Sequence, residues 1–166
     1  MILSKMSYIL LGSNINPKDN MRLAIDKLQQ LLNVTRVSPI YETTPIKNQE
    51  ADNFLNAVVE FKTTLDPVTL KFQYLRRIEN EMGRVRTGDK FKPRVIDLDL
   101  ILWGDEIFIN EEFHITIPDP EITKYAHMAI PLADLVPEMI HPVEKQSMDE
   151  IAKPFRLKQK LVKVDL

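Results

Sequence analysis

The chain has 166 residues, with 24 acidic side chains against 22 basic ones and a formal charge of −2 at pH 7. That is one domain's length, expected to span 1–166, and it lacks the basic surplus of a nucleic-acid binder. Cysteine is absent, which excludes a thiol nucleophile, a disulfide framework and a cysteine-based zinc site, and fits a cytoplasmic setting. The opening Met-Ile-Leu-Ser-Lys-Met-Ser-Tyr lacks a leader's long apolar run, and no run reaches the ~18 residues of a membrane span, so no membrane partner is expected.

In chain order, Ser7–Asn14 is a short apolar run closed by turn residues and reads as a buried strand. Its Gly12-Ser13-Asn14 end has neither Walker nor dinucleotide-fingerprint spacing and reads as a strand-ending turn. Asn16-Pro17 opens a helix, with Asn16 as cap, and Met21, Ala24, Ile25, Leu28, Leu31 and Leu32 recur at helical spacing. Val34–Ile46 is extended, because Pro45 holds Thr44 out of the helical region. Phe54–Lys62 is a third strand, with Ala57, Val59 and Phe61 on one face and Val58, Glu60 and Lys62 on the other. At its entry Asn56 is either a turn residue or a paired donor and acceptor for a flat heterocycle. Asp66-Pro67 opens a second helix with an apolar stripe of Val68, Phe72, Leu75, Ile78 and Met82, ended by Gly83. Glu79 beside that stripe reads as a solvated charge.

Between Arg84 and Arg94 lie five bases and one acid, Asp89, with Phe91 among them. This is either a solvated loop or a mobile polyphosphate clamp, since Arg forks match phosphate oxygens and Lys supplies a point charge. The next stretch, Pro93–Trp103, alternates. Ile96, Leu98, Leu100 and Leu102 share one face of a strand and Asp97 and Asp99 the other, roughly 6.6 Å apart along the chain. Two acids this close repel each other unless cations intervene. Mg²⁺ takes one or two carboxylates plus substrate phosphates, so the pair beside a basic loop points to phosphoryl chemistry. Further on, Ile107-Phe108-Ile109 is expected to complete a hairpin with this strand. Ala126–Ala133 contains His127 and a Pro131-Leu132 break, Ser147–Lys153 is a short helix, and Phe155–Leu166 is a basic-apolar tail. His114, His127 and His141 stand apart, without ligand spacing.

The order strand, helix, strand, strand, helix, strand is the β-α-β-β-α-β pattern of a ferredoxin-like α+β sandwich with C-terminal additions. Helices should cover one sheet face, leaving the Asp pair on an open one.

Gly83-Arg84-Val85-Arg86 followed by Pro93-Arg94-Val95-Ile96-Asp97-Leu98-Asp99-Leu100 resembles the signature of the 6-hydroxymethyl-7,8-dihydropterin pyrophosphokinase family. Leu11-Gly12-Ser13-Asn14, Tyr41-Glu42-Thr43-Thr44-Pro45, Phe54-Leu55-Asn56-Ala57 and Pro131-Leu132 extend the likeness over most of the chain. The resemblance implies that ATP donates its β,γ-pyrophosphoryl group to the hydroxymethyl oxygen of the dihydropterin, leaving AMP, in folate biosynthesis. It implies two Mg²⁺ ions on Asp97 and Asp99, catalytic Arg84 and Arg94, and small-molecule partners only, with the protein a monomer. ATP would meet Glu79, Arg86, Lys90, Phe91, Leu100, Thr116 and Asp119. The pterin would meet Thr43, Thr44, Ile46, Phe54, Asn56 and His127.

The chain departs from the family's usual pattern in Lys90-Phe91-Lys92, where Arg-Trp-Gly is common, in Asp119-Pro120, where His-Pro or His-Tyr is common, and in Tyr125 and His127, where Arg and Phe are common. Lys for Arg loses a planar fork, and Phe for Trp loses a ring N–H. The expectation is the family's reaction with weaker ATP affinity. The alternatives are a non-catalytic pterin- or nucleotide-binding homologue with a regulatory role and a metal-dependent phosphohydrolase.

Overall fold

The computed structural model describes residues 2–45 and 50–166. Its central strand is β1 (Lys5–Ser13), paired antiparallel with β4 (Phe54–Thr63) on one side and β5 (Asp97–Trp103) on the other. The far edge of β4 carries two short strands, β2 (Asn33–Val37) beside Val59–Lys62 and β3 (Ile40–Thr43) beside Phe54–Asn56. The extended region expected over Val34–Ile46 is thus divided at Ser38-Pro39. Pro39 has no N–H to give the ladder, while the Ser38 hydroxyl accepts from the Val58 N–H at 2.8 Å. A last strand, β8 (Val162–Val164), adds to β3 from the expected tail. With β2 and β3 taken as one bent strand, this is the expected α+β order.

Helix α1 (Pro17–Leu31) buries Met21, Ala24 and Leu28 against one sheet face. Asn16 stands at its cap position with φ 39° but makes no side-chain cap, so Pro17 alone sets the first turn. The second helical region runs as α2 (Pro67–Thr69), a π-helical stretch Leu70–Leu75, and α3 (Arg76–Glu81). Asp66 caps it as expected, accepting from the Thr69 N–H at 3.0 Å. Gly83, at φ 87°, ends it and lets the Arg84 N–H return to the Glu79 carbonyl at 3.0 Å. Between these helices and the sheet lie Ile9, Leu11, Phe61, Leu75, Ile78, Ile96 and Leu98.

The opposite face is only partly open. Helices α4 (Ala126–Leu135) and α5 (Met148–Lys158) cover one end of it, over Tyr8, Leu10, Val58, Ile101 and Leu102. Leu102 therefore departs from the face of Ile96, Leu98 and Leu100. The register slips between Tyr8–Leu102 and Ile9–Leu100, Ile101 is the extra residue, and the alternation reverses beyond it. The expected break at Pro131 is also absent. Pro131 forfeits one N–H bond, but α4 is buried along nearly its whole length, and that burial holds the helix together. The short helix expected at Ser147 continues through Pro154 to Lys158, started by a Ser147–Glu150 capping box. The expected Ile107–Ile109 hairpin forms elsewhere. After the Gly104 turn, β6 (Phe108–Asn110) pairs with β7 (Ile115–Ile117) in a separate ribbon, and Trp103 meets Phe108 edge-on.

Polar ties fix α4. Glu60, buried under its end, accepts from Arg36 (2.7 Å), Thr35 (2.7 Å) and Tyr8 (3.1 Å), while Arg36 also donates to the Leu135 carbonyl at 2.8 Å. Tyr41 and Arg156 both donate to Asp134. These ties fix the C-terminal end of α4, and its N-terminal residues His127 and Met128 lie where its cover of the sheet stops. No helix among the described residues is long and apolar enough to cross a membrane.

Candidate active site

At that edge opens a cleft of about 470 Å³, floored by β1, β4 and β5. Asn56 stands in its floor with its amide already oriented. Its Oδ1 accepts from the Thr43 hydroxyl at 2.6 Å and its Nδ2 donates to the Leu11 carbonyl at 3.3 Å. One N–H and one lone pair remain for a ligand. Gly12, paired with Asn56 across the sheet, makes room for this amide, since a Cβ at that position would lie 2.9 Å from Asn56 Nδ2. Phe54 lines the cleft, and so do Tyr125 and His127, whose rings stack at 5.6 Å. Burial pushes the His127 imidazole down to about 4, so it presents a neutral ring at neutral pH.

The end of β1 also anchors the basic loop. The Arg94 N–H donates to Asn14 Oδ1 at 2.6 Å, the Asn14 N–H donates to the Arg94 carbonyl at 3.1 Å, and Ser13 Oγ donates to the Val95 carbonyl at 2.6 Å. Gly12-Ser13-Asn14 is therefore more than a strand ending: it sets where β5 begins and where Arg94 points.

Asp97 and Asp99 stand on the same face, as expected, in different company. Both oxygens of Asp97 are taken by arginine, Oδ1 by Arg84 and Oδ2 by Arg94. Asp99 has no hydrogen bond or ion pair among the described residues. Its side chain reaches water, yet enough protein crowds it that its carboxyl is pushed well above the usual range, by desolvation first and then by the charges of Asp97, Asp119 and Glu79.

Glu79 is not the solvated charge that its helical position suggests. It is 1% exposed and accepts from the Leu98 N–H at 2.9 Å, from Arg84 at 3.0 Å and from Arg86. Desolvation raises it to about 7, opposed by the Leu98 N–H and Arg84. Glu79 thus lines neither cleft and holds the arginines from behind.

A second cleft, about 200 Å³, lies beyond Asp99 and is lined by Arg86, Leu100, Thr116 and Asp119 together with Lys71 and Arg76. Asp119 already accepts from the Glu121 N–H at 2.8 Å, starting a turn of 3-10 helix at Pro120, and burial pushes its carboxyl up.

The structure so divides the expected site residues. Thr43, Thr44, Phe54, Asn56, His127, Lys90, Phe91 and Arg94 meet in the larger cleft, and Arg86, Leu100, Thr116 and Asp119 in the smaller. Asp99 belongs to both, Asp97 to the larger, Arg84 and Glu79 lie behind, and Ile46 lies outside the described residues. Sequence reasoning missed Gly12, Asn14, Lys71 and Arg76. Only the register of β1 on β4 could have singled out Gly12, and only the π-helical stretch could have brought Lys71 and Arg76 to one wall.

Among the described residues no third His or carboxylate joins Asp97 and Asp99 in a metal-sized cluster. Two carboxylates alone suit an ion shared with substrate phosphates better than a protein-only site, so the donor set fits Mg²⁺ carried with a nucleotide. A cleft with a fixed amide and aromatic walls and a cationic one, sharing a carboxylate, suit a transferase moving a phosphorus-centred group between two bound substrates.

The family model for 7,8-dihydro-6-hydroxymethylpterin-pyrophosphokinase matches residues 8–137. The chain is 36% identical over 152 residues to a Haemophilus influenzae 2-amino-4-hydroxy-6-hydroxymethyldihydropteridine pyrophosphokinase, covering 90% of this chain and 92% of the relative. It is 36% identical over 148 residues to the Bacillus subtilis protein of the same name, covering 87% and 84%. The chain belongs to this family, and its reaction class is pyrophosphoryl transfer in folate biosynthesis. Among solved structures it resembles a Plasmodium falciparum HPPK-DHPS, with a TM-score of 0.75 over 92% of this chain at 15% identity, which bears on the fold alone. The chain spans about half of that protein, 46% of its length.

Proposed function

We propose that this chain, as a single cytoplasmic domain and a monomer, transfers the β,γ-pyrophosphoryl group of ATP to the hydroxymethyl oxygen of 6-hydroxymethyl-7,8-dihydropterin and releases AMP. The observation that carries this reading is the position of Asp99, which lines both clefts and so stands where two substrates can meet. In the larger cleft the fixed amide of Asn56 reads the pterin edge, with Thr43 orienting it and Thr44 beside it. Phe54 and His127 offer aromatic surfaces to its faces. In the smaller cleft Leu100 and Thr116 frame the nucleotide, and Asp119 stays engaged with its own turn.

Asp97 and Asp99 would hold two Mg²⁺ ions, whose chemistry there is to neutralise the triphosphate and its leaving oxygen. Arg84 and Arg94, now on Asp97, are the groups placed to turn to the transferring phosphates, and Arg86 and Lys90 to the rest of the chain. Phe91, exposed at the cleft mouth, would exclude water on closing over bound substrates. Lys90 and Phe91 offer a point charge and a smaller ring than the family's usual Arg and Trp, which supports a raised KM for ATP. The test is product analysis with ATP, Mg²⁺ and 6-hydroxymethyl-7,8-dihydropterin. AMP and pterin diphosphate in equal amounts, lost in Asp97→Ala, are expected. ADP as product, or phosphate released without the pterin, contradicts the reading.

A further inference from the structure

Two rings of one short segment, Tyr125 and His127, form an aromatic wall of the larger cleft. In a regular helix, residues two apart do not face each other. Tyr125, however, is the residue before α4, extended at φ −132° and ψ 132°, and only the residues after it are helical. That change of backbone lets the two rings meet, 5.6 Å apart and 25° from parallel, as a stacked pair.

Tyr125 is fixed from both sides. Its N–H donates to the Glu121 carbonyl at 3.1 Å, closing the 3-10 turn, and its carbonyl accepts from the Met128 and Ala129 N–H groups at 3.2 and 3.1 Å, opening α4. Its hydroxyl makes no hydrogen bond among the described residues, so the fold uses the ring and not the oxygen. His127 is held less well. Its imidazole makes no hydrogen bond or ion pair among the described residues, and its one ring contact there is the stack on Tyr125. A ring left to rotate about its bonds to the chain must be ordered before a flat ligand can stack on it, and that ordering costs affinity.

We propose that Tyr125 is a positioning residue for the pterin: it contacts no substrate itself, and by stacking on His127 it holds the imidazole as a preset wall for the flat heterocycle. The inference rests on the pterin occupying the larger cleft against His127. An imidazole offers little stacking area, and the second ring makes that area rigid. The effect of Tyr125 should therefore pass entirely through His127 and appear in pterin affinity alone.

The probes are steady-state rates of AMP formation and fluorescence titration of the full chain with 6-hydroxymethyl-7,8-dihydropterin, in the presence of Mg²⁺ and a non-hydrolysable ATP analogue. Tyr125→Leu should raise pterin KM and Kd about fivefold, the loss of one aromatic pair, with kcat and ATP KM unchanged. Tyr125→Phe, which keeps the ring, should restore the wild-type values. In a His127→Ala background Tyr125→Leu should add nothing, because the group it positions is gone. Wild-type pterin affinity in Tyr125→Leu overturns the inference while the functional reading stands. A further loss in the His127→Ala background also overturns it, since Tyr125 would then contact the pterin directly. A raised ATP KM in Tyr125→Phe overturns it in favour of a hydroxyl that serves the nucleotide. Tyr125→Met, a second ringless variant, should match Tyr125→Leu, and a fall of kcat in both would mean that the ring supports α4 and not His127, which overturns it too. Failure of the wild type to bind the pterin overturns the functional reading and the inference with it.

Discussion

The two clefts on either side of Asp99 are built on different principles. On the floor and aromatic wall of the larger, recognition is neutral and already set. Thr43 and Leu11 fix the Asn56 amide, Gly12 leaves space for it, and His127 is kept uncharged by burial. At the wall the two clefts share and behind it, charges are held by one another, with Arg84 and Arg94 on Asp97 and Arg84 and Arg86 on Glu79. A flat heterocycle needs fixed donors and acceptors, and a rigid sheet supplies them. On the proposed reading, a polyphosphate with its metal needs charge that is stable without it and available with it, and arginines paired to acids would supply it.

The comparison breaks most visibly at the shared wall. Asp99→Asn keeps the shape and removes the charge, and should lower turnover about 10³-fold or more while leaving the pterin KM within a few-fold, as initial rates of AMP formation will show. Turnover within tenfold of wild type would remove Asp99 from the chemistry.

A smaller effect, confined to one side, is expected from Gly12→Ala. The added methyl meets Asn56 Nδ2 and must displace it. Pterin KM should rise about 10- to 100-fold, consistent with the loss of one or two oriented hydrogen bonds, with ATP KM unchanged. Equal rises for both substrates would show that the clefts are not separately built.

The gentlest test is of the neutral ring. With its pKa lowered from 6.5 to about 4, folded His127 stays neutral while the unfolded chain takes up a proton. Above 6.5 both states are neutral and nothing is lost. As pH falls from 6.5 to 4 stability declines, by up to about 3 kcal/mol. Glu60, Asp66 and Glu81, whose carboxyls are held low, also lose stability toward acid, so the difference from His127→Phe isolates the ring. Denaturant midpoints should converge at pH 7 and separate toward pH 4, and parallel curves would mean that the imidazole protonates in place.

Much of this was legible because it is local. Alternation alone put Asp97 and Asp99 on one face, periodicity placed α1, and Asp66-Pro67 and Gly83 bounded the second helical region. What was not legible depends on pairing across the chain. Leu102 changes face because of a bulge against β1, which alternation cannot reveal. Glu79 passes for a surface charge until α3 lies on β5 and the Leu98 N–H meets it. Asn56 is ambiguous until the register of β3 on β4 sets Thr43 beside it. The cover by α4 and α5 turns an expected open face into a cleft with one closed end, and their prolines hid their extent.

On the proposed reading, Asp97 is held by its own arginines until a metal–nucleotide complex replaces them. Mn²⁺ titration of the free protein, read by electron paramagnetic resonance, tests it without turnover. The wild type should bind Mn²⁺ weakly, Arg94→Gln should tighten binding about tenfold by freeing one oxygen of Asp97, and Lys92→Gln, which removes a nearby charge that makes no ion pair with Asp97, should change it little. Equal affinities in wild type and Arg94→Gln, or equal tightening in both variants, would contradict the exchange.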